Sequence, residues 1–175
     1  NKVSPLKDLS IASSSEKIKM LEIAFKDFKE VEIEDYELKK NGESFMIETL
    51  QYLDKKLGKE KLFLLIIGED SFQSFHRWKN YQDIVNMTSI LVMNRPGLNN
   101  DLTKKAIELH QDCIENTRGD NNFKKGKIYF IKIKPNPASS THIRENIDDQ
   151  NVLSEGLDDD VLKYLQEQKI YNKDD

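Results

Sequence analysis

Cysteine is almost absent from the sequence, since Cys113 is the only one among 175 residues. A single cysteine excludes an intrachain disulfide and a cysteine-ligated zinc site. Long apolar runs are also lacking, because no stretch approaches the roughly 20 residues that a membrane-spanning helix needs, and the first residues show no signal-peptide pattern. These absences are compatible with a reducing compartment, and we expect a cytoplasmic protein that does not use a membrane.

An excess of positive charge is lacking as well. The 27 Lys and Arg residues against 31 Asp and Glu residues give a formal net charge of −4, which argues against a general nucleic-acid binder. Hydrophobic residues make up 37% of the chain and charged residues 33%, an ordinary balance for an α/β domain. A chain of this length suits one domain with a substantial core.

The most informative stretch is the apolar run over residues 62–67 together with the turn that follows it. A run this short, made of Leu, Ile and Phe, predicts a strand buried on both faces of a sheet. Gly68 ends the run, and Asp70 and Ser71 are residue types that cap helices. The pattern predicts a strand, a tight turn and a helix start, and in open α/β sheets ligands bind at the carboxyl ends of strands, where such turns lie.

Helices and strands alternate along the rest of the chain. Ser14 or Ser15 is expected to cap the first helix and Ser44 the second, while Asp158, Asp159 and Asp160 suit the N-terminal end of the last. The alternation predicts a mostly parallel sheet with helices on both faces and no second domain. The periodicity predicts helices over residues 14–29, 44–56, 81–86, 100–118 and about 157–171, and strands over residues 31–35, 62–67, 89–93 and 127–134.

Three residues near this first turn have two interpretations each. Gly68 would let a ligand approach the backbone, or it is only a turn residue. Asp70 offers a carboxylate to a ribose hydroxyl, or it is a plain N-cap. Trp78, the single tryptophan, would stack on a flat base, or it belongs to the core.

A second candidate site lies after the last strand, where Ser139, Ser140 and Thr141 precede Arg144. Free N–H groups and the positive end of a helix favour phosphate there, and the hydroxyls and the guanidinium add donors. The other interpretation is an ordinary N-cap with a solvated arginine.

Isolated basic residues are less informative. Lys7 in the first loop is a point charge for phosphate if it faces a ligand, and Arg95 just past a strand end would suit an anion. Otherwise both are solvated. His110, on the helix predicted over residues 100–118, is interpreted as a surface or hydrogen-bonded histidine without a role.

Several of these segments stand in a characteristic order along essentially the whole chain. Together they resemble the bacterial nicotinate-nucleotide adenylyltransferases, although no single motif is decisive. The segments are Ser4-Pro-Leu-Lys7, Lys17-Ile-Lys-Met-Leu21, Glu37-Leu38 with Gly42-Glu-Ser44 and Glu48-Thr-Leu50, Gly68-Glu-Asp70 with Trp78-Lys79, Arg95-Pro-Gly97, Ser139-Ser-Thr-His-Ile-Arg144, and Val161-Leu-Lys-Tyr-Leu165 with Ile170-Tyr171.

The resemblance implies a Rossmann-like, doubly wound α/β fold and transfer of AMP from ATP to nicotinate mononucleotide, with Mg²⁺ carried by ATP. The products would be nicotinate adenine dinucleotide and pyrophosphate. It also implies roles for individual residues. Those expected at the triphosphate are Ser139, Ser140, Thr141, Arg144 and Lys7; those expected at the mononucleotide are Gly68, Asp70, Trp78, Met46 and Arg95.

The sequence departs from the family at three places. The family's first strand and its GxFDPxHxGH loop are absent, so we expect the sequence to be part of a longer product, and none of its histidines replaces that motif. Phe45-Met46 stands where the family usually has Tyr-Thr, and the lost hydroxyl would help to hold the nicotinate carboxylate. Lys17 stands at a family arginine, which keeps the charge but not the fork.

Two alternative functions follow from these departures. Met46 raises the possibility that the amide, nicotinamide mononucleotide, is the preferred substrate. The absent motif raises a nucleotide-binding module without catalysis.

Overall fold

The computed structural model describes residues 12–40, 42–58, 60–94, 100–116, 122–134, 143, 146–147 and 156–171. Two compact units divide the chain, one formed by Asn1–Ser44 with Asn136–Asp175 and the other by Phe45–Pro135. In chain order the elements are α1 (Ser14–Ala24), α2 (Tyr36–Lys39), α3 (Met46–Leu57), β1 (Phe63–Gly68), α4 (Glu69–Gln73), a 3-10 helix (Phe75–Arg77), α5 (Tyr81–Met87), β2 (Thr88–Met93), α6 (Asn100–Leu109), a second 3-10 helix (Gln111–Cys113), β3 (Lys127–Ile131) and α7 (Asp159–Glu167).

The unit over Phe45–Pro135, called the sheet unit below, is built on a parallel sheet of order β1-β2-β3. In the register, Gly68 lies opposite Met93 of β2, and Met93 lies opposite Ile131 of β3. Parallel strands require crossover connections, and α4 and α5 lie between β1 and β2 while α6 lies between β2 and β3. The predicted parallel sheet with intervening helices is therefore confirmed.

One core fills the sheet unit between the strands and the helices. Phe72, Phe75, Ile84, Ile90 and Ile128 at its centre are fully buried. Burial of apolar area on this scale is the main source of stability in such a unit.

Burial differs between the strands. On β2, the residues from Thr88 to Val92 are all buried, as expected for a strand that is paired on both sides. On β1, Leu64 and Ile66 are 37% and 54% exposed, so the predicted burial on both faces is wrong for this strand. Among the described strands β1 pairs only with β2, and its side chains alternate between the core and the exterior.

Several predicted boundaries also differ from the structure. Residues 31–35 form no strand, because no described strand pairs with them and Val31 is 43% exposed. The first helix ends at Ala24 and the helix after β2 ends at Leu109, both earlier than predicted. Residue 114 instead forms a parallel bridge to Ile128.

The helix caps differ in part from those predicted. Ser13 rather than Ser14 or Ser15 caps α1, in a capping box with Glu16, and α3 has Phe45 rather than Ser44 at its N-cap. The acidic cap of α7 is confirmed, since the Asp158 carboxylate accepts hydrogen bonds from the next residues of the helix.

The other unit, over Asn1–Ser44 with Asn136–Asp175, has its own apolar cluster around α1 and α7. Lys26 forms an exposed ion pair with Asp160, and their hydrogen bond lowers the pKa of the Asp160 carboxyl and raises the pKa of the Lys26 amine. The buried members of the apolar cluster around α1 and α7 are Ala12, Ile147, Val161, Leu162, Leu165 and Ile170.

No described helix in either unit is long and apolar enough to cross a membrane.

Candidate functional site

The carboxyl edge of the sheet positions the first candidate residues. β1 ends at Gly68, and α4 begins at the next residue. Beside it, Asn94 joins the ends of β2 and β3, because its main-chain N–H donates to the Ile131 carbonyl at 3.2 Å and its side-chain oxygen accepts from the Ile133 N–H at 2.7 Å. This edge is where ligands bind in open parallel sheets.

Gly68 and Asp70 are brought together at this edge. A Cβ atom placed on Gly68 would collide with the Asp70 carboxylate, so that carboxylate lies directly against the end of β1 and would have to swing away if the residue were larger. Gly68 itself is the N-cap of α4, and the prediction that Asp70 or Ser71 caps this helix is wrong. The helix begins earlier because the chain turns directly out of the strand.

Contacts with α6 hold α4 in place. The Thr103 hydroxyl donates to the Glu69 carboxylate at 2.9 Å, and the Gln73 amide donates to the same hydroxyl at 2.8 Å. Phe72, which lies between Glu69 and Gln73 in the chain, is fully buried. Local sequence patterns do not predict this network, because Thr103 lies 34 positions from Glu69 and 30 positions from Gln73 in the chain.

Trp78 follows the short 3-10 helix over Phe75–Arg77. Its main-chain N–H donates to the Phe75 carbonyl at 2.9 Å, and its ring meets the Phe75 ring edge-on at a centroid distance of 5.3 Å. Trp78 is partly buried against the core of the sheet unit. Part of the Trp78 side chain therefore belongs to the core, as one of its two interpretations has it, and its stacking on a flat base stays a prediction.

Lys79 connects the segment after Trp78 to the start of α3. Its ammonium nitrogen lies 4.1 Å from the centroid of the Phe45 ring and 3.2 Å from a Glu48 carboxylate oxygen. Met46, the first residue of α3, packs partly buried against the same core as Trp78. The structure therefore links the Trp78–Lys79 segment to the helix start that carries Met46, which the sequence did not predict.

His110 lies in the interior of the sheet unit, so the interpretation of a surface histidine is wrong. It is only 5% exposed, and its Nε2 atom has no hydrogen-bond partner in the described part of the chain. Burial lowers the pKa of this imidazole, and the nearby His76 lowers it further. A helical stripe predicts which residues face inward, but it does not tell whether an inward histidine finds a partner.

Six predicted site residues lie outside the described residues, namely Lys7, Arg95, Ser139, Ser140, Thr141 and Arg144. Their assignment therefore stays a prediction. Within the described ranges, no group of three or more His, Cys, Asp or Glu side chains is placed to hold a metal ion.

The chain is similar in sequence to one protein family and to named adenylyltransferases. A family model described as cytidylyltransferase-like matches residues 1–146. A probable nicotinate-nucleotide adenylyltransferase from Aquifex aeolicus is 36% identical over 137 residues, covering 78% of this chain and 76% of the relative. The nicotinate-nucleotide adenylyltransferase of Salmonella typhimurium is 31% identical over 176 residues, covering 98% of this chain and 81% of the relative.

Solved structures agree on the fold. The Plasmodium falciparum nicotinic acid mononucleotide adenylyltransferase complexed with NaAD has a TM-score of 0.65 at 16% identity, covering 97% of this chain and 78% of that one. The same enzyme complexed with APC also has a TM-score of 0.65, at 15% identity, covering 91% and 76%. At these identities the likeness concerns the fold, and the predicted Rossmann-like α/β class is confirmed.

Proposed function

Because the chain belongs to the cytidylyltransferase-like family and, within it, to the nicotinate-nucleotide adenylyltransferases, we propose that it acts in NAD biosynthesis by adenylyl transfer from ATP to nicotinate mononucleotide. The structural observation that supports this proposal most directly is the Asp70 carboxylate against Gly68 at the end of a parallel strand. A carboxylate there accepts hydrogen bonds from hydroxyl groups of a nucleotide bound in the crevice.

The reaction is a displacement at phosphorus. A phosphate oxygen of nicotinate mononucleotide forms a bond to the α-phosphorus of ATP, while the bond from that phosphorus to the bridging oxygen of the β-phosphate breaks. The electron pair leaves with pyrophosphate, so no covalent enzyme intermediate is needed. Catalysis then rests on positioning the two phosphates and on stabilising their charge.

The triphosphate is assigned to a set of hydroxyl and basic side chains, which together suit an anion. No residue of this sequence is assigned the role of the family's GxFDPxHxGH histidines, because the pattern does not occur in it. The assigned residues are Ser139, Ser140, Thr141 and Arg144, with Lys7 assisting.

The mononucleotide is assigned to the sheet edge. Gly68 and Asp70 line the crevice, and the accessible part of the Trp78 indole stacks on the pyridine ring, as flat aromatic side chains do. Met46 lies at the start of α3, the position where the family's threonine would hold the nicotinate carboxylate, and Arg95 is assigned to the same substrate.

Mg²⁺ is proposed as an ion carried by ATP. The described residues offer no cluster of three metal-binding side chains, and Mg²⁺ characteristically uses substrate phosphates as ligands. When bound, it neutralises charge on the phosphate oxygens. The chain's own hydroxyl and basic residues orient those phosphates.

The single tryptophan provides the test. We expect saturable quenching of Trp78 emission when nicotinate mononucleotide is titrated into the protein, and about tenfold weaker binding in Asp70→Asn, because a hydrogen bond to a charged group contributes about 1.5–3 kcal/mol. Asp83→Asn, on exposed α5 surface, is the matched control and should bind normally. Absence of quenching in protein that circular dichroism shows to be folded would contradict the proposal.

A second substrate preference is supported by one residue. Met46 has no hydroxyl to offer the acid, so the chain would tolerate nicotinamide mononucleotide better than relatives with threonine there. Titrating both mononucleotides against Trp78 emission separates the two, because tighter binding of the amide would make it the preferred substrate.

A further inference from the structure

His110 ends α6 with its main chain engaged and its side chain enclosed. Its main-chain N–H donates to the carbonyls of Ala106 and Ile107 at 3.2 and 3.1 Å, so the backbone continues the last turn of the helix. His110 is only 5% exposed, and the Nε2 atom of its imidazole lacks a hydrogen-bond partner among the described residues. A buried polar atom without a hydrogen bond costs free energy, which calls for an explanation.

Three aromatic rings surround this imidazole. Ring centroids lie 5.6 Å away at Phe72, 5.5 Å away at Phe75 and 5.5 Å away at Tyr81. The rings come from α4, from the 3-10 helix and from α5 respectively. His110 therefore contacts every short element between β1 and β2.

Phe75 connects His110 to Trp78. The Phe75 ring contacts the imidazole on one side, and it contacts the Trp78 ring at 5.3 Å and the Tyr81 ring at 5.9 Å. We propose that neutral His110 is a positioning residue for Trp78, holding the Phe75 ring against which the indole is oriented for the pyridine ring of the mononucleotide. The proposal rests on the proposed function in so far as Trp78 binds that ring.

Protonation would disturb this arrangement. An imidazolium among these rings loses its hydration, and its Nε2 atom has no partner among the described residues to compensate. The pKa of His110 is already lowered by burial and then by His76. The Glu69 carboxylate on α4 accepts a hydrogen bond from the Thr103 hydroxyl at 2.9 Å. The titratable and charged side chains on the surrounding elements are Glu69 and Asp70 on α4, His76 and Arg77 on the first 3-10 helix, Tyr81 and Asp83 on α5, Asp101, Lys104, Lys105 and Glu108 on α6, and Asp112 and Cys113 on the second 3-10 helix.

The test follows Trp78 emission without ligand from about pH 8 to about pH 5, the range in which histidines titrate. We expect one step in the emission of the native protein, with its midpoint below the ordinary histidine pKa of 6.5. His110→Phe, which keeps a ring but cannot take a proton, should lack that step. His76→Gln should move the step to higher pH, because it removes the charge that lowers the pKa of His110.

Binding of nicotinate mononucleotide is measured separately from the emission titration without ligand. Since the phosphate of nicotinate mononucleotide also titrates near pH 6, the dissociation constant of the native protein is divided by that of His110→Phe at each pH. We expect this ratio of dissociation constants to rise by about threefold or more as the pH falls through the emission step, because only the protein with an ordered Trp78 binds well. If the emission step occurs but the ratio of dissociation constants stays constant, His110 does not position Trp78 for the pyridine ring.

Failure of this inference and failure of the proposed function remain distinguishable. An emission step that persists in His110→Phe, or its absence in native protein, overturns the positioning role even if the mononucleotide binds. An emission step without any mononucleotide binding contradicts the function of Trp78 and retains its coupling to His110. If His110→Phe does not fold, histidine-labelled native protein decides by NMR, since the His110 ring and Trp78 emission must share one midpoint.

Discussion

Lys79 holds its ammonium nitrogen 4.1 Å from the centroid of the Phe45 ring, so the residue after Trp78 is fixed to the residue before Met46. Glu48 accepts the same ammonium group at 3.2 Å. Two of the residues assigned to the mononucleotide are thus flanked by a direct contact between their sequence neighbours. The contact brings the segment of a loop tryptophan close to a helix start that is 32 positions away in the chain, as the proposed assignment of both to one substrate requires.

Replacing Lys79 by Met should loosen this connection while keeping most of the aliphatic stem. A cation–π contact contributes about 0.5–1 kcal/mol and an exposed ion pair about 0.2–1 kcal/mol, so urea unfolding should show a loss of about 1 kcal/mol. We also expect about threefold weaker binding of nicotinate mononucleotide. Lys104→Met, at an exposed pair with Asp101, is the control. Equal effects of the two variants on binding would contradict a role for the Phe45 contact.

The sequence was informative where structure depends on neighbours along the chain. The apolar run before Gly68 and the run before Asn94 predicted two parallel strands, because strand length and turn residues are local signals. The resemblance of the ordered motifs indicated the family, which the relatives confirm. The packing of Trp78 on Phe75 is likewise set by the short helix just before it, and its role in a site stays a prediction.

Sequence reasoning failed where structure depends on residues distant in the chain. Thr103 meets Glu69 and His110 meets Phe72 through the packing of α6 on α4, and a hydrophobic period does not specify partners. Exposure of Ile66 depends on which elements cover that face of β1, which the residue types of β1 do not encode. The strand predicted over residues 31–35 failed similarly, because alternation gives a strand only when an edge is available for pairing.

Replacing Met46 by Thr tests the discrimination between acid and amide. A hydroxyl at this position would donate to the nicotinate carboxylate, and a hydrogen bond to a charged group contributes about 1.5–3 kcal/mol. The ratio of the two dissociation constants, read from Trp78 emission, should shift by tenfold or more toward the acid. Met87→Thr, also partly buried against the same core, should weaken stability without moving the ratio. An unchanged ratio in Met46→Thr would remove this position from carboxylate recognition.

Replacing Gly68 by Ala tests the close approach at the end of β1. The new methyl group would collide with the Asp70 carboxylate and force it out of the crevice, so binding of nicotinate mononucleotide should weaken by about tenfold, the loss expected for a hydrogen bond from a charged group. Gly58→Ala is the control, since φ there is +91° and no atom lies within 4 Å of the added group. That variant should lose about 1–3 kcal/mol of stability from backbone strain and bind normally. Normal binding by Gly68→Ala would contradict the assignment of Asp70.

Replacing Thr103 by Val tests whether α6 holds the helix that carries Asp70. Valine keeps the shape of the side chain but removes the hydroxyl between Glu69 and Gln73, and a buried group deprived of its partner costs about 1–3 kcal/mol. Urea unfolding should show that loss, whereas Thr103→Ser, which retains the hydroxyl, should keep the hydrogen bonds. Hydrogen exchange adds the decisive comparison, because the amides of α4 should exchange faster in the valine variant while those of β2 stay protected. Equal exchange in both variants would show that burial of Phe72 alone fixes α4, and the Thr103 network would then be dispensable for the site.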